Sequence, residues 1–91
     1  MADPNQPGVY GIFGRSGCIY IGKSEDIQMS LLEHICGESE QSPCILKYDP
    51  LYWLAAILDK RQLLTWERIL RSEFDPVCVP QMVSVANRKL R

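Results

Sequence analysis

Three side chains suited to polar chemistry crowd the first quarter of this sequence: the phenols of Tyr10 and Tyr20 and the ammonium of Lys23. Two short β-branched and aromatic runs, Val9 to Phe13 and Cys18 to Ile21, carry the tyrosines. Gly14-Arg15-Ser16-Gly17 separates the runs, a turn-forming cluster of the kind that closes a β-hairpin. Alternate side chains of a strand share a face, so Tyr10 is expected beside Ile12 and Tyr20 beside Cys18. Pairing across the turn then brings both hydroxyls to one surface, with Lys23 following at once. A fourth group stands far along the chain. On a wheel of about 100° per residue with Leu63 at 0°, Leu70 falls at about −20°, Phe74 at about +20° and Glu67 at about +40°. Glu67 thus lies inside an apolar face, where a carboxylate is costly unless it is paired or bound to a cation. Lys60, Arg71 or the tyrosine hydroxyls could supply that partner, and so could a metal ion.

Further elements must position these groups. Residues 1–6 read as a loose leader. After the hairpin, Ser24-Glu25-Asp26 signals a helix start, with capping oxygens and acidic residues facing the positive end of the dipole. Ile27, Leu31 and Ile35 recur at four-residue spacing and Gly37 is a natural stop, which predicts an amphipathic helix packed on the hairpin. The same helix carries His34, expected to be half-buried. Glu38 to Pro50, with two prolines and many polar residues, reads mainly as a loop. The apolar run Leu51 to Leu58 is bounded by Pro50 and Asp59 and suits a strand of about seven residues, although periodicity alone does not separate a buried strand from a helix. Asp59-Lys60-Arg61-Gln62 has the form of a capping box opening a second long helix, with the stripe Leu63, Trp66, Leu70 and Phe74, ended by Asp75-Pro76. The closing residues 81–91 hold an apolar stretch, Met82 to Ala86, and a basic end, and suit a tail, an edge strand or a partner-binding segment.

Ninety-one residues make one small domain, able to bury roughly 60 to 65% of its unfolded surface. No apolar run approaches the roughly 20 residues that span a bilayer, and the amino terminus lacks a basic and apolar leader. A cytoplasmic, reducing location is expected, with no membrane partner. Of the four cysteines, Cys18, Cys36, Cys44 and Cys78, none forms a Cys-x-x-Cys pair, and His34 is the one histidine. They are expected to be reduced, mostly buried thiols. The net charge is −1, yet Arg88, Lys89 and Arg91 supply three of the ten basic residues; without them seven face eleven acidic ones, a net −4. Such a body is a poor electrostatic footprint for a protein that chiefly grips a phosphate backbone.

Gly8-Val9-Tyr10 followed by Tyr20-Ile21-Gly22, with Pro7 before and Lys23 after, resembles the signature of the GIY-YIG nuclease superfamily, in the form carried by the amino-terminal nuclease domain of the excision-repair incision subunit. The likeness in order of elements extends over residues 7–80. It implies a small α/β (α+β) domain built as β-hairpin, helix, third antiparallel strand and helix. It also implies that Trp66-Glu67-Arg68-Ile69-Leu70 corresponds to the late helix whose glutamate holds a single Mg2+ or Mn2+, with Pro76 placed like the proline that follows. Tyr10 is then implied to help deprotonate the attacking water, Tyr20 to orient groups around the scissile phosphate of DNA, and Lys23 to add positive charge. His34 falls where such proteins often carry a histidine or an aromatic residue. The division of labour is chemically sound: a hard cation polarises a phosphoryl oxygen and a nearby phenol relays a proton.

Two positions depart from the pattern. Eight residues after Gly22, where the family has an arginine that stabilises transition-state charge, stands Ser30, and losing such a contact costs on the order of 10² to 10⁵ in rate. After Pro76 the expected asparagine is missing, with Gln81 and Asn87 as the nearest substitutes. Arg15, Arg61 and Arg68 are candidates to replace the lost arginine. The leading expectation is therefore a weakly active or inactive nuclease fold that binds nucleic acid or a protein partner. The competing ones are a working, metal-dependent DNA endonuclease and a structural domain with a fortuitous motif.

Overall fold

A computed structural model describes residues 6–79 of the chain. The first part of the leader and the segment expected to form the tail, residues 81–91, lie outside the described residues. The hairpin forms where the turn cluster places it, with β1 (Gly8–Gly14) antiparallel to β2 (Gly17–Ser24). The strands run a residue or more beyond the apolar runs because the flanking glycines, Lys23 and Ser24 continue the ladder. The register slips between Ile12 and Phe13, which leaves Ile19 as an extra residue in β2. That bulge changes the expected alternation: Ile19, in place of Cys18, joins Tyr20 in the core.

Helix α1 (Ile27–Ile35) begins at Asp26, whose carboxylate accepts from the Met29 N–H at 3.1 Å. Gly37 follows its end at φ +84°, a backbone region that glycine enters without steric cost. The buried positions are Ile27, Leu31 and His34, while Ile35 is 51% exposed. The expected apolar stripe is thus corrected at its last member: spacings of four and then three keep one face of a 3.6-residue helix, and they select His34 over Ile35.

The segment expected to be loop contains a helix, α2 (Ser42–Lys47). Pro43 marked a break in the sequence reading, but it occupies the first turn, where a missing N–H and a fixed φ are tolerated. Strand β3 (Tyr52–Ile57) pairs antiparallel with β1, giving the order β2-β1-β3. It is a six-residue edge strand with Tyr52, Leu54 and Ile57 exposed, not a buried one. Asp59 and Gln62 form the capping box, on a 3-10 turn (Lys60–Gln62) that leads into α3 (Leu63–Phe74). Asp75 ends α3 in the left-handed region, and Pro76 follows it.

The core lies between one sheet face and the first two helices: Tyr10, Ile12, Ile19, Tyr20, Ile27, Leu31, Ile45 and Cys78. Helix α3 packs on β2 and β1, and Phe74 meets the edge of Phe13 with ring centroids 5.7 Å apart. Its buried residues are Leu63 and Glu67; Trp66 and Phe74 remain exposed, contrary to a fully covered stripe. The thiols are also corrected. Cys44 of α2 and Cys78 beyond α3 form a disulfide, and only Cys18 and Cys36 are free, the latter exposed. Sequence spacing could not show this pair, because α2 and two backbone bonds, from the Val77 and Cys78 N–H groups to Cys18 and Ile19 of β2, bring the two ends together.

Candidate functional site

In the hairpin register Tyr10 lies opposite Gly22 and Tyr20 opposite Ile12, so the two phenols are diagonal neighbours with ring centroids 6.1 Å apart. Gly22 is the seat that lets them converge: a Cβ there would stand 2.6 Å from the Tyr10 hydroxyl. From the helix above, the His34 ring packs against both, at 5.8 Å from Tyr10 and 5.1 Å from Tyr20. Its Nε2 lies 2.7 Å from the Tyr10 hydroxyl and its Nδ1 2.6 Å from Ser39 Oγ.

The proton positions follow from the far end of this chain of contacts. Ser42 Oγ donates to the backbone carbonyls of His34 and Glu33 and accepts the Ser39 N–H. Its one hydrogen being committed, the contact of 2.9 Å between the serine hydroxyls must be donated by Ser39. Ser39 then accepts from the His34 Nδ1–H, which leaves a neutral imidazole with a bare Nε2 that accepts from Tyr10. The electrostatics point the same way. Burial holds His34 below its ordinary pKa. Burial pushes Tyr10 far up, with Tyr20 and the charges of Glu67 and Glu33 adding to the rise and a hydrogen bond from Ser30 opposing it. Tyr20 is raised by burial and then by Glu67, against the pull of Arg71 and of its hydrogen bond with Tyr10.

Ser30 therefore sits at the phenols, as its register demands. Its hydroxyl also bonds Ser24 Oγ at 2.6 Å, and no guanidinium arrives from that position. Glu67, on α3, lies near enough for its charge to raise both phenols. It is 8% exposed, and its Oε2 accepts from Arg71 Nη2 at 2.9 Å across one helical turn. Of the structural partners considered for Glu67, Arg71 is thus the one it meets; Lys60 pairs with Glu25. Lys23 is exposed and, by strand alternation, projects on the side of β2 opposite Tyr20. Arg61 is held by Asp59, and Arg15 and Arg68 are exposed.

Sequence reasoning named Arg71 only as one possible partner of Glu67, and it did not place Ser39 or Ser42 in the site. Arg71 carried a signal, the i,i+4 spacing from Glu67; the two serines carried none while α2 was read as loop. A divalent cation at Glu67 would have to share a carboxylate that a guanidinium already neutralises. Among the described residues no group of three or more histidine, cysteine, aspartate or glutamate side chains converges to hold a metal. Glu67 would hold such an ion as a single carboxylate, and in this structure it pairs with Arg71.

No protein-family model and no curated protein sequence matches the chain. Solved structures do. The GIY-YIG N-terminal endonuclease domain of UvrC from Thermotoga maritima, bound to magnesium as its catalytic divalent cation, is similar with a TM-score of 0.68 at 23% identity, covering 80% of this chain and 82% of that one. A point mutant of the same domain with its divalent cation gives 0.68 at 23% identity, covering 80% and 81%. At such identity the likeness is one of backbone, and it spans the hairpin, both long helices and the third strand described above: this chain has the fold of a GIY-YIG endonuclease domain.

Proposed function

We propose that this domain engages a phosphodiester of DNA at the face formed by Tyr10, Tyr20, His34, Ser30 and the Glu67–Arg71 pair, and cleaves it slowly or not at all. The observation that carries this reading is the state of the charged groups. The charge of Glu67 reaches both phenols, while Ser30 stands where the resemblance calls for a guanidinium and Glu67 is paired with Arg71. The similar solved structures are endonuclease domains, which supports a phosphodiester as the ligand class.

The proton chemistry points to slow cleavage. For Tyr10 to accept a proton from water it must first shed its own to His34 Nε2, giving a phenolate and an imidazolium. The ordinary pKa values of about 10 and 6.5 make that transfer cost about 5 kcal/mol. Burial drives the two values further apart. With Ser30 in place of the arginine that the resemblance calls for, a further factor on the order of 10² to 10⁵ is lost.

One observation favours a second reading, an active divalent-metal-dependent DNA endonuclease: the Tyr10–His34–Ser39–Ser42 relay is unbroken. That reading requires Arg71 to leave Glu67. Duplex binding across a salt series, run beside nicking of supercoiled plasmid with Mg2+ or Mn2+, separates the two. Binding with a clear salt slope and no nicking supports the proposal. Wild-type nicking that disappears in Glu67→Ala establishes the second reading, and absence of duplex binding overturns the first.

A further inference from the structure

We infer that Arg71 takes the place of the divalent cation in this site, which makes the pocket a metal-independent binding site for a phosphate group. The inference rests on the phosphodiester reading above and adds how the anion is held. Three observations carry it. The partner described for the Glu67 carboxylate is the Arg71 guanidinium, at 2.9 Å, on the buried side of α3 where a carboxylate needs pairing. Arg71 is not spent on that contact. Its side chain is 29% exposed and only Nη2 is paired with Glu67, so a planar group with five N–H donors keeps donors for a ligand, the covered Nε apart. Its charge also reaches the phenols, since it opposes the rise in the Tyr20 pKa.

A phosphate oxygen arriving beside Tyr20 meets the exposed edge of the guanidinium, in the fork geometry that arginine offers to phosphate. Glu67 then holds the guanidinium in place, and does not itself contact the ligand. A fixed guanidinium neutralises a phosphoryl oxygen as a metal would. It carries no water ligand whose pKa it could lower. The exchange therefore favours binding over hydrolysis, as a metal site would not.

The test uses two independent measurements on the full chain. In the first, Mn2+ is titrated without nucleic acid and followed by electron paramagnetic resonance. Wild type should show no saturable site at millimolar Mn2+, whereas Arg71→Leu should gain one that Arg71→Leu combined with Glu67→Gln lacks. A saturable, Glu67-dependent Mn2+ site in wild type overturns the inference, and this arm needs no variant of Arg71 to fold. In the second, a short DNA duplex is bound in chelator and in Mg2+. Equal affinity at matched ionic strength is expected, with a loss of about tenfold or more in Arg71→Gln from the missing charge-assisted contact. Strict dependence on Mg2+, or an Arg71→Gln variant of native circular dichroism that binds as wild type does, also overturns it. If wild type binds no duplex at all, the phosphodiester reading fails by itself, and the Mn2+ titration still decides whether Arg71 excludes the cation.

Discussion

His34 is the one histidine of the chain, and its place in the relay makes acid stability a direct report on the proton assignment. In the folded protein its pKa is lowered by burial, because the ring is 4% exposed and Nε2 already accepts from Tyr10. In the unfolded chain it titrates at about 6.5. Below that pH the unfolded chain takes up a proton that the folded one refuses, so stability falls as pH drops from about 6.5 toward the folded pKa and then levels off. The slope approaches about 1.4 kcal/mol per pH unit. The loss at about pH 5.5 relative to neutral is therefore up to about 1.4 kcal/mol, equivalent in a domain of this size to roughly 5 to 10 °C in Tm. Carboxylates, with pKa values of about 4, contribute little in that window. Urea unfolding at half-unit steps between neutral and mildly acidic pH measures it, with His34→Gln as the reference whose profile should be flat there. Stability that holds steady or rises as the pH falls through this window would refute the argument. A rise would mean that the fold favours the protonated His34 and that the hydrogen bonds run the other way, and a flat profile that folding leaves its titration unchanged.

Two further outcomes follow from the packing. Opening the Cys44–Cys78 bond, which spans 34 residues, should cost about 3 to 4 kcal/mol in the loop-entropy account; a urea midpoint unchanged by reductant, or four reactive thiols in the unfolded unreduced chain, would contradict it. Gly22→Ala sets a methyl 2.6 Å from the Tyr10 hydroxyl; since that ring is buried against His34, we expect a loss of about 1 to 3 kcal/mol from overpacking and a disturbed Tyr10–His34 contact. A fully native melting curve for that variant would show that the phenol has room to move.

What could be read from the chain was local. The glycine-bounded turn, the helix stop at Gly37, the Asp59–Gln62 capping box and the placing of Glu67 on an apolar face each depend on a few neighbouring residues, and all four are present. Fold class was also within reach, because those signals outline a hairpin and two helices and the resemblance to GIY-YIG nucleases implied the third strand. Local rules misled where one residue type has two uses. Pro43 opens a helix and does not break one, and the apolar run of β3 lies at a sheet edge whose exposure no periodicity records.

Tertiary structure decided the rest, because each remaining feature joins residues far apart in sequence. His34 rather than Ile35 turns inward because the two phenols of the hairpin stand beneath that face of α1. Ser39 and Ser42 become the end of a proton relay only once α2 folds back on α1. Cys44 meets Cys78 because the chain beyond α3 is hydrogen-bonded to β2. The sequence by itself determined that a carboxylate on the buried side of the last helix needs a partner, either a cation or a hydrogen-bond donor. Packing supplied that partner as Arg71, one turn away on the same helix, whose charge reaches Tyr20.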